Sequence, residues 1–192
     1  MKKVFIVLLS ALAAFSTQAQ NWALDNSHSS VKFSITHLVI SEVEGDFKKF
    51  TANVTSEKPD FTDAKISFSI DANSINTDNT DRDNHLRAAD FFDVAKYPSI
   101  DFKSSSIKKL SDKKYELKGE MTLHGVTKPV TFAVMFNGTV KDPYGNTKAG
   151  FKCTTTLKRS DFNLSWNKNL DNGGLVLSDE VAVTVNIELA KK

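Results

Sequence analysis

Between Val31 and Leu189 the chain is written largely in a two-residue code. Successive side chains of an extended strand point to opposite faces, so apolar residues at alternate positions predict strands with one apolar and one polar face. The first run is Val31, Phe33, Ile35 and His37. The second begins at Val43, Gly45 and Phe47 and continues on the other parity through Phe50, Ala52 and Val54. That phase slip at Lys48-Lys49 predicts a β-bulge. Ala64, Ile66, Phe68 and Ile70 form the third run, and Ile100 and Phe102 open the fourth after Pro98. The fifth is Tyr115, Leu117, Gly119, Met121 and Leu123. The sixth is Val130, Phe132, Val134 and Phe136. The seventh is Ala149, Phe151, Cys153, Thr155 and Leu157, and Val181, Val183, Val185, Ile187 and Leu189 form the eighth.

Turn-forming stretches separate the runs: "SEKPDFTD", "SDKK", "HGV" and "KDPYGN". Short connections of this kind favour antiparallel neighbours. A two-sheet sandwich shows the same alternation. Closing the strands into a barrel has the further merit of removing exposed edges. The expected fold class is therefore all-β, an eight-stranded antiparallel barrel. At about eight strands a barrel interior is either filled by side chains or holds one small ligand. Fourteen phenylalanines, side chains with no polar tip, call for an apolar place of one kind or the other.

The stretch 81–102, "DRDNHLRAADFFDVAKYPSIDF", breaks the alternation. It reads as a short helix capped by Thr80 or Asp81, with Asp81 and Asp83 at the positive end of the helix dipole. Leu86, Ala89 and Phe92 are spaced to share one face, and Pro98 prevents continuation. A helix with one narrow apolar stripe belongs across something apolar. The expectation is a lid at one barrel opening, carrying Leu86, Phe91 and Phe92. Arg82, His85 and Arg87 are expected at its surface or against an anionic head at the rim.

Residues 1–19 read as an export signal. Lys2 and Lys3 precede an apolar run over 4–15, too short to span a bilayer, and small and polar residues at 16–19 suit cleavage after Ala19. Residues 20–192 then form one domain. The leader takes two bases and no acid, so the remaining chain carries as many acids as bases. A nucleic-acid binder would show a basic excess. Cys153 is the single cysteine, so no internal disulfide forms. It reads as a small apolar residue in phase with Phe151 and Leu157.

Little in the chain suggests catalysis. HExxH, CxxC, GxSxG and Gly-rich phosphate-loop patterns are absent from the sequence. If 28–37 were one regular strand, His28 and His37 would face opposite sides and could not share a metal. His37 falls in phase with Val31, Phe33 and Ile35. It is either a satisfied core histidine, a contact for a ligand head group, or a haem ligand in a barrel of this kind. Arg159, two residues past Leu157, needs a partner if buried, either an acid or a ligand head. Trp166 is expected to pack in the barrel or plug one end.

Six stretches occur together in a familiar order: "WALDNSHSSVKFSITHL" (22–38), "VEGDFKKF" (43–50), "DRDNHLRAADFFDVAKYPSIDF" (81–102), "GEMTLHGVTKPVTF" (119–132), "RSDFNLSW" (159–166) and "DEVAVTV" (179–185). In these the chain resembles the YceI-like, lipid- or polyisoprenoid-binding family. The resemblance implies a lipocalin-like barrel with a helical element near its opening. It also implies an elongated apolar cavity for a polyisoprenoid, an isoprenoid quinone or a fatty-acid-like ligand, with no separate cofactor. Asn163 departs from the "DFGL" often seen in relatives, which bears on the local turn and on the pocket shape there.

The expected contacts follow from the inward-facing runs. They are Phe33, Ile35, His37 and Phe47; Phe68 and Ile70; Phe102, Leu117 and Met121; Phe132, Val134 and Phe136; and Phe151 and Leu157. Leu86, Phe91 and Phe92 on the lid, with Arg159 and Trp166, complete the set. The expected role is binding for transport, storage or stress protection, in the bacterial periplasm. The alternatives are an enzyme acting on a lipid in the same cavity and an outer-membrane barrel, since membrane barrels alternate too. Against the membrane barrel, tyrosine and tryptophan are scarce and the chain ends in "LAKK".

Overall fold

The structure, a computed structural model, describes residues 20–171 and 173–192. The proposed leader and Asn172 lie outside the described residues. The strands are β1 (Gln20–Leu24), β2 (Ser30–His37), β3 (Ser41–Phe47), β4 (Phe50–Ser56), β5 (Lys65–Asp71), β6 (Ile75–Asn76), β7 (Ser99–Lys109), β8 (Lys114–Leu123), β9 (Val126–Lys141), β10 (Thr147–Lys158) and β11 (Leu177–Lys191). One α-helix, α1 (Thr80–Arg87), follows β6.

Pairing runs β1-β4-β5-β7-β8-β9-β10-β11, and β1 pairs again with β11, so eight strands close into an antiparallel ring. The closure rules out the sandwich. Three walls are each built from two segments. β2 continues β1 along β11, β3 continues β4, and β6 continues β5. The expected bulge at Lys48-Lys49 is in fact the break between β3 and β4. It lies beside the other two. Lys48 N donates to the Ser74 carbonyl (3.1 Å), Asp71 N donates to the Lys49 carbonyl (3.0 Å), and Val31, at the start of β2, pairs with Phe47. The three interruptions thus form a crease across three adjacent walls.

Alternation sorts the interior from the exterior. On β8 the buried residues are Tyr115, Leu117, Gly119, Met121 and Leu123, while Lys114, Lys118 and Glu120 are exposed. A charged exterior is the inverse of the apolar band that a membrane barrel presents to lipid. No helix among the described residues is long and apolar enough to cross a membrane.

One end is stoppered. The loop after β4 carries Phe61 into the barrel, 2% exposed, with its backbone in the left-handed region at φ 58°. Such a conformation costs a phenylalanine on the order of 1–3 kcal/mol, comparable with the roughly 1.5–3 kcal/mol from burying the ring. Asp63 fixes the loop by accepting from Ser56 Oγ (2.6 Å), Glu57 N (2.9 Å) and Lys58 N (3.2 Å). Phe61 then meets Trp22, Phe151 and Phe136 at centroid distances of 4.9, 5.0 and 5.6 Å.

An ion cluster ties β1 to β10 and β11. Lys148 Nζ bridges Asp25 (2.7 Å) and Glu188 (3.2 Å), and His28 Nδ1 lies 3.2 Å from Asp25. His28 sits in a short 3-10 turn, Asn26–His28, rather than on one regular strand with His37. The hydrogen bond from Lys148, and then that from His28, hold the Asp25 carboxyl down at about 2. A carboxyl depressed in the folded state stabilises fully above its ordinary value of 3.8 and stops doing so as pH falls toward 2.

Two outcomes are expected. Lys148→Met should lower thermal stability at neutral pH and flatten its fall between pH 4 and pH 2 relative to the parent, as read by melting temperature against pH, so that the two profiles run parallel from pH 4 to neutrality and converge at the acid end. Gly119→Ala should destabilise by about 1–3 kcal/mol in urea unfolding, because an added Cβ would lie 2.3 Å from the Lys103 carbonyl oxygen and 2.5 Å from Phe102.

Candidate functional site

The side chains on the inner walls do not fill the barrel. An upper chamber of about 260 Å³ and a lower one of about 130 Å³ remain. They adjoin where Val31, Ile70, Ile100, Met121 and Val183 line both. Together they fall in the lower part of the range for small-ligand sites, roughly 300–1,000 Å³. Glycines help keep the axis open. A Cβ on Gly45 would lie 2.4 Å from the Phe33 ring, and one on Gly119 would crowd Phe102. Those rings therefore lie back against the wall where a side chain is missing.

Most of the expected contacts line this space. Phe33, Ile35, His37, Phe47, Ile70, Met121 and Leu157 face the upper chamber, with Leu86, Phe91, Phe92, Arg159 and Trp166 around its mouth. Phe68, Phe102, Leu117, Phe132, Val134 and Phe151 face the lower. Phe136 is the exception. It stacks on Phe151 (5.0 Å) and meets Phe61 and Tyr115, which places it in the wall beside the stopper rather than on the cavity. Phe61 itself lines the lower chamber and was not foreseen. Its only sequence signal is an aromatic within a turn-forming stretch. Cys153 also lines the lower chamber, and burial pushes its thiol up to about 12. The reading as an apolar filler stands, since the thiolate is the reactive form.

The lid differs from its expectation. The helix ends at Arg87 and is capped by Asn79, whose side chain accepts from Arg82 N (2.9 Å), not by Thr80 or Asp81. Ala89 is exposed and Phe92 lies beyond the helix, so the stripe through Leu86, Ala89 and Phe92 does not form. Instead the turns after α1 deliver Phe91 and Phe92. Phe91, His85 and Trp166 pack ring on ring, each pair 5.1 Å apart, so Trp166 does plug the mouth.

Polar clamps, not an apolar face, hold α1. Arg82 Nε and Nη2 donate to the Thr77 hydroxyl (2.7 Å) and carbonyl (2.8 Å). Buried Asp83 accepts from Thr77 N (2.9 Å) and Oγ1 (2.6 Å). Arg87 Nε and Nη2 donate to the carbonyls of Asn73 (2.8 Å) and Ile75 (2.7 Å). Arg82 is half-buried and lines the chamber, whereas His85 is exposed at its rim, as expected of a helix-surface residue beside the opening.

Arg159 is buried at 8% exposure, and its partners are neither of those expected. Nε donates to the Ser178 carbonyl (2.9 Å), and Nη1 donates to those of Leu164 (2.6 Å) and Trp166 (2.8 Å). Desolvation lowers its pKa, and the charge of Asp179 partly offsets this. Asn163 adopts the left-handed conformation (φ 59°, ψ 19°) that closes the short 3-10 turn Arg159–Phe162. Asparagine tolerates that region better than other non-glycine residues, so it occupies the position at little cost.

The chain matches the family model described as YceI-like domain over residues 22–189. A UPF0312 protein of Pseudomonas putida is 41% identical over 171 residues, 85% of this chain and 88% of the relative. Among solved structures, the Campylobacter jejuni YCEI protein is 31% identical with TM-score 0.72, covering 82% of this chain and 90% of that one. Burkholderia cenocepacia BcnA is 25% identical with TM-score 0.75, covering 86% and 98%. A polyisoprenoid binding domain from Saccharophagus degradans shares the fold at 16% identity and TM-score 0.65, covering 89% and 98%.

Replacing Arg159 with Met leaves two loop carbonyls and one at the start of β11 without their donor. Each unmet buried group costs roughly 1–3 kcal/mol before water relieves it. Arg159→Met is expected to lose about 2–4 kcal/mol in urea unfolding, with exchange of the Leu164–Leu177 region's amides accelerating ahead of the strands.

Proposed function

The chain belongs to the YceI-like domain family, and from that premise we propose that it is an exported, non-catalytic binding protein for a lipid-like amphiphile. The guest, a polyisoprenoid, isoprenoid quinone or fatty-acid-like molecule, occupies the two chambers with its chain directed at the Phe61 stopper. The observation that carries this reading is the pair of adjoining apolar chambers, which inward-facing phenylalanines surround but do not fill.

The energetics support such a guest. Transfer of a chain from water gains about 0.8 kcal/mol per buried methylene. Hydrophobic contact is non-directional, so the tail sites discriminate by shape rather than by chemical detail. The YceI-like membership and the shared fold of a domain described as polyisoprenoid-binding agree with this reading. The leader-like residues 1–19 support a working place outside the cytoplasm, in the bacterial periplasm. The protein is expected to leave cells with soluble periplasmic proteins on osmotic shock.

Organic extraction of the purified protein followed by mass spectrometry should yield a long-chain amphiphile. A clean extract, together with no uptake of geranylgeraniol or palmitate, would end the proposal. Val183 lines both chambers, so Val183→Phe should narrow their junction. The variant is expected to weaken geranylgeraniol by at least about tenfold, the equivalent of roughly two buried methylenes, while geraniol, short enough for the upper chamber, loses less.

A further inference from the structure

We propose that the upper chamber selects amphiphiles with an anionic head, a carboxylate or a phosphate, over neutral ones bearing the same chain. The proposal rests on the reading of the cavity as a lipid-like site and names the head-group class it takes.

The polar part of the lining is one-sided. The charged or titratable residues of the upper chamber are Lys32, His37, Arg82, His85 and Arg159, and its lining includes no aspartate or glutamate. Nor does it include serine, threonine, asparagine or glutamine, the usual partners of a neutral hydroxyl or amide. Lys32 alternates outward with respect to Phe33 and is exposed, so four bases remain.

These four come from three parts of the fold and meet at the mouth. Arg82 and His85 are one turn apart on α1 and share a face. His85 packs on the Trp166 ring (5.1 Å), and the Trp166 carbonyl accepts from Arg159 Nη1 (2.8 Å). Arg159 Nε donates to Ser178, the neighbour of Leu177, and Leu177 pairs with His37 across β2 and β11.

Donors remain for a guest. Arg82 uses Nε and Nη2, and Arg159 uses Nε and Nη1. Among the described residues, Arg82 Nη1, Arg159 Nη2 and both ring nitrogens of His37 make no hydrogen bond. The nearby acids do not line the chamber. Asp83 is engaged by Thr77, Asp90 by His85 (3.0 Å), and Asp179 by Ser160 N and Oγ. Among the described residues, no carboxylate lies within ion-pair distance of Arg82 or Arg159. Arg159 is thus a buried cation whose partners are all neutral carbonyls. Asp179 acts on it only at longer range, and a buried charge with no carboxylate at bonding distance is costly; an anionic oxygen at this position supplies that partner through charge-assisted bonds.

The test uses the delipidated protein at low salt, with displacement of a fluorescent fatty acid as the readout. Palmitic acid is compared with hexadecanol, and farnesyl phosphate with farnesol. Each acid is expected to bind about tenfold or more tightly than its alcohol, the worth of one charge-assisted hydrogen bond. His37→Gln, which touches neither the Arg82 nor the Arg159 clamp, is expected to reduce that ratio, and Arg82→Gln, which also loosens α1 at Thr77, is expected to reduce it as well. Inorganic phosphate alone is expected to displace the probe only weakly. If it matches farnesyl phosphate, the site is a simple anion site and the proposal fails. Alcohols binding as tightly as acids overturn the head-group selection while leaving the lipid-like cavity intact. If no long-chain probe binds at all, both readings fall.

Discussion

Ring closure is the constraint on which the rest of this molecule depends. Once β1 pairs with both β4 and β11, the circumference is fixed by strand count and tilt, and no inner face can collapse onto a neighbour to fill space. A sandwich would slide its sheets together until the rings interlocked. A closed wall cannot, so its interior volume is whatever the side chains leave. Here the chain does not use larger residues to take up that volume. It places glycine at 45 and 119, where the Phe33 and Phe102 rings fold back against the wall. The hollow is a product of the closure together with these two small residues.

The two ends of the ring are closed by different physics. At the floor, aromatic packing around Phe61 makes a dry seal, with the strained loop held by Asp63. At the mouth, α1 contains a single large apolar residue, Leu86, and is held by arginine and aspartate clamps to residues 73–77. Hydrogen bonds that exchange with water contribute only about 0.5–1.5 kcal/mol each, whereas an apolar seal must expose greasy surface to open. The mouth has its own ring cluster in Phe91, His85 and Trp166, so what sets it apart is the polar hold on α1 and the basic residues that gather there.

Much of this was legible in the sequence because alternation is a local signal. Strand pairing partners follow from chain order when every connection is short, and the inward set follows from parity. The parts that were missed depend on contacts between distant segments. Phe61 looks like a loop residue until Trp22, Phe136 and Phe151 are brought over it. The helix stripe failed because spacing through Leu86, Ala89 and Phe92 presumes that the helix continues, whereas the chain turns after Arg87, with Ala88 N bonded to His85. Arg159 was expected to need an acid or a guest, yet carbonyls of the following loop serve it first. Phe136 had the right parity, but parity does not say how deep along the axis a residue lies.

The crease through the breaks at 26–28, 48–49 and 72–74 has a geometric consequence. Above it β2, β3 and β6 flank the larger chamber; below it β4 and β5 flank the smaller one. The hollow is accordingly unequal, about 260 Å³ on one side and about 130 Å³ on the other, and the change falls where three strands are interrupted together. A guest of the kind proposed would have to pass that junction before its chain reached the floor, so the junction and the floor would act on it one after the other.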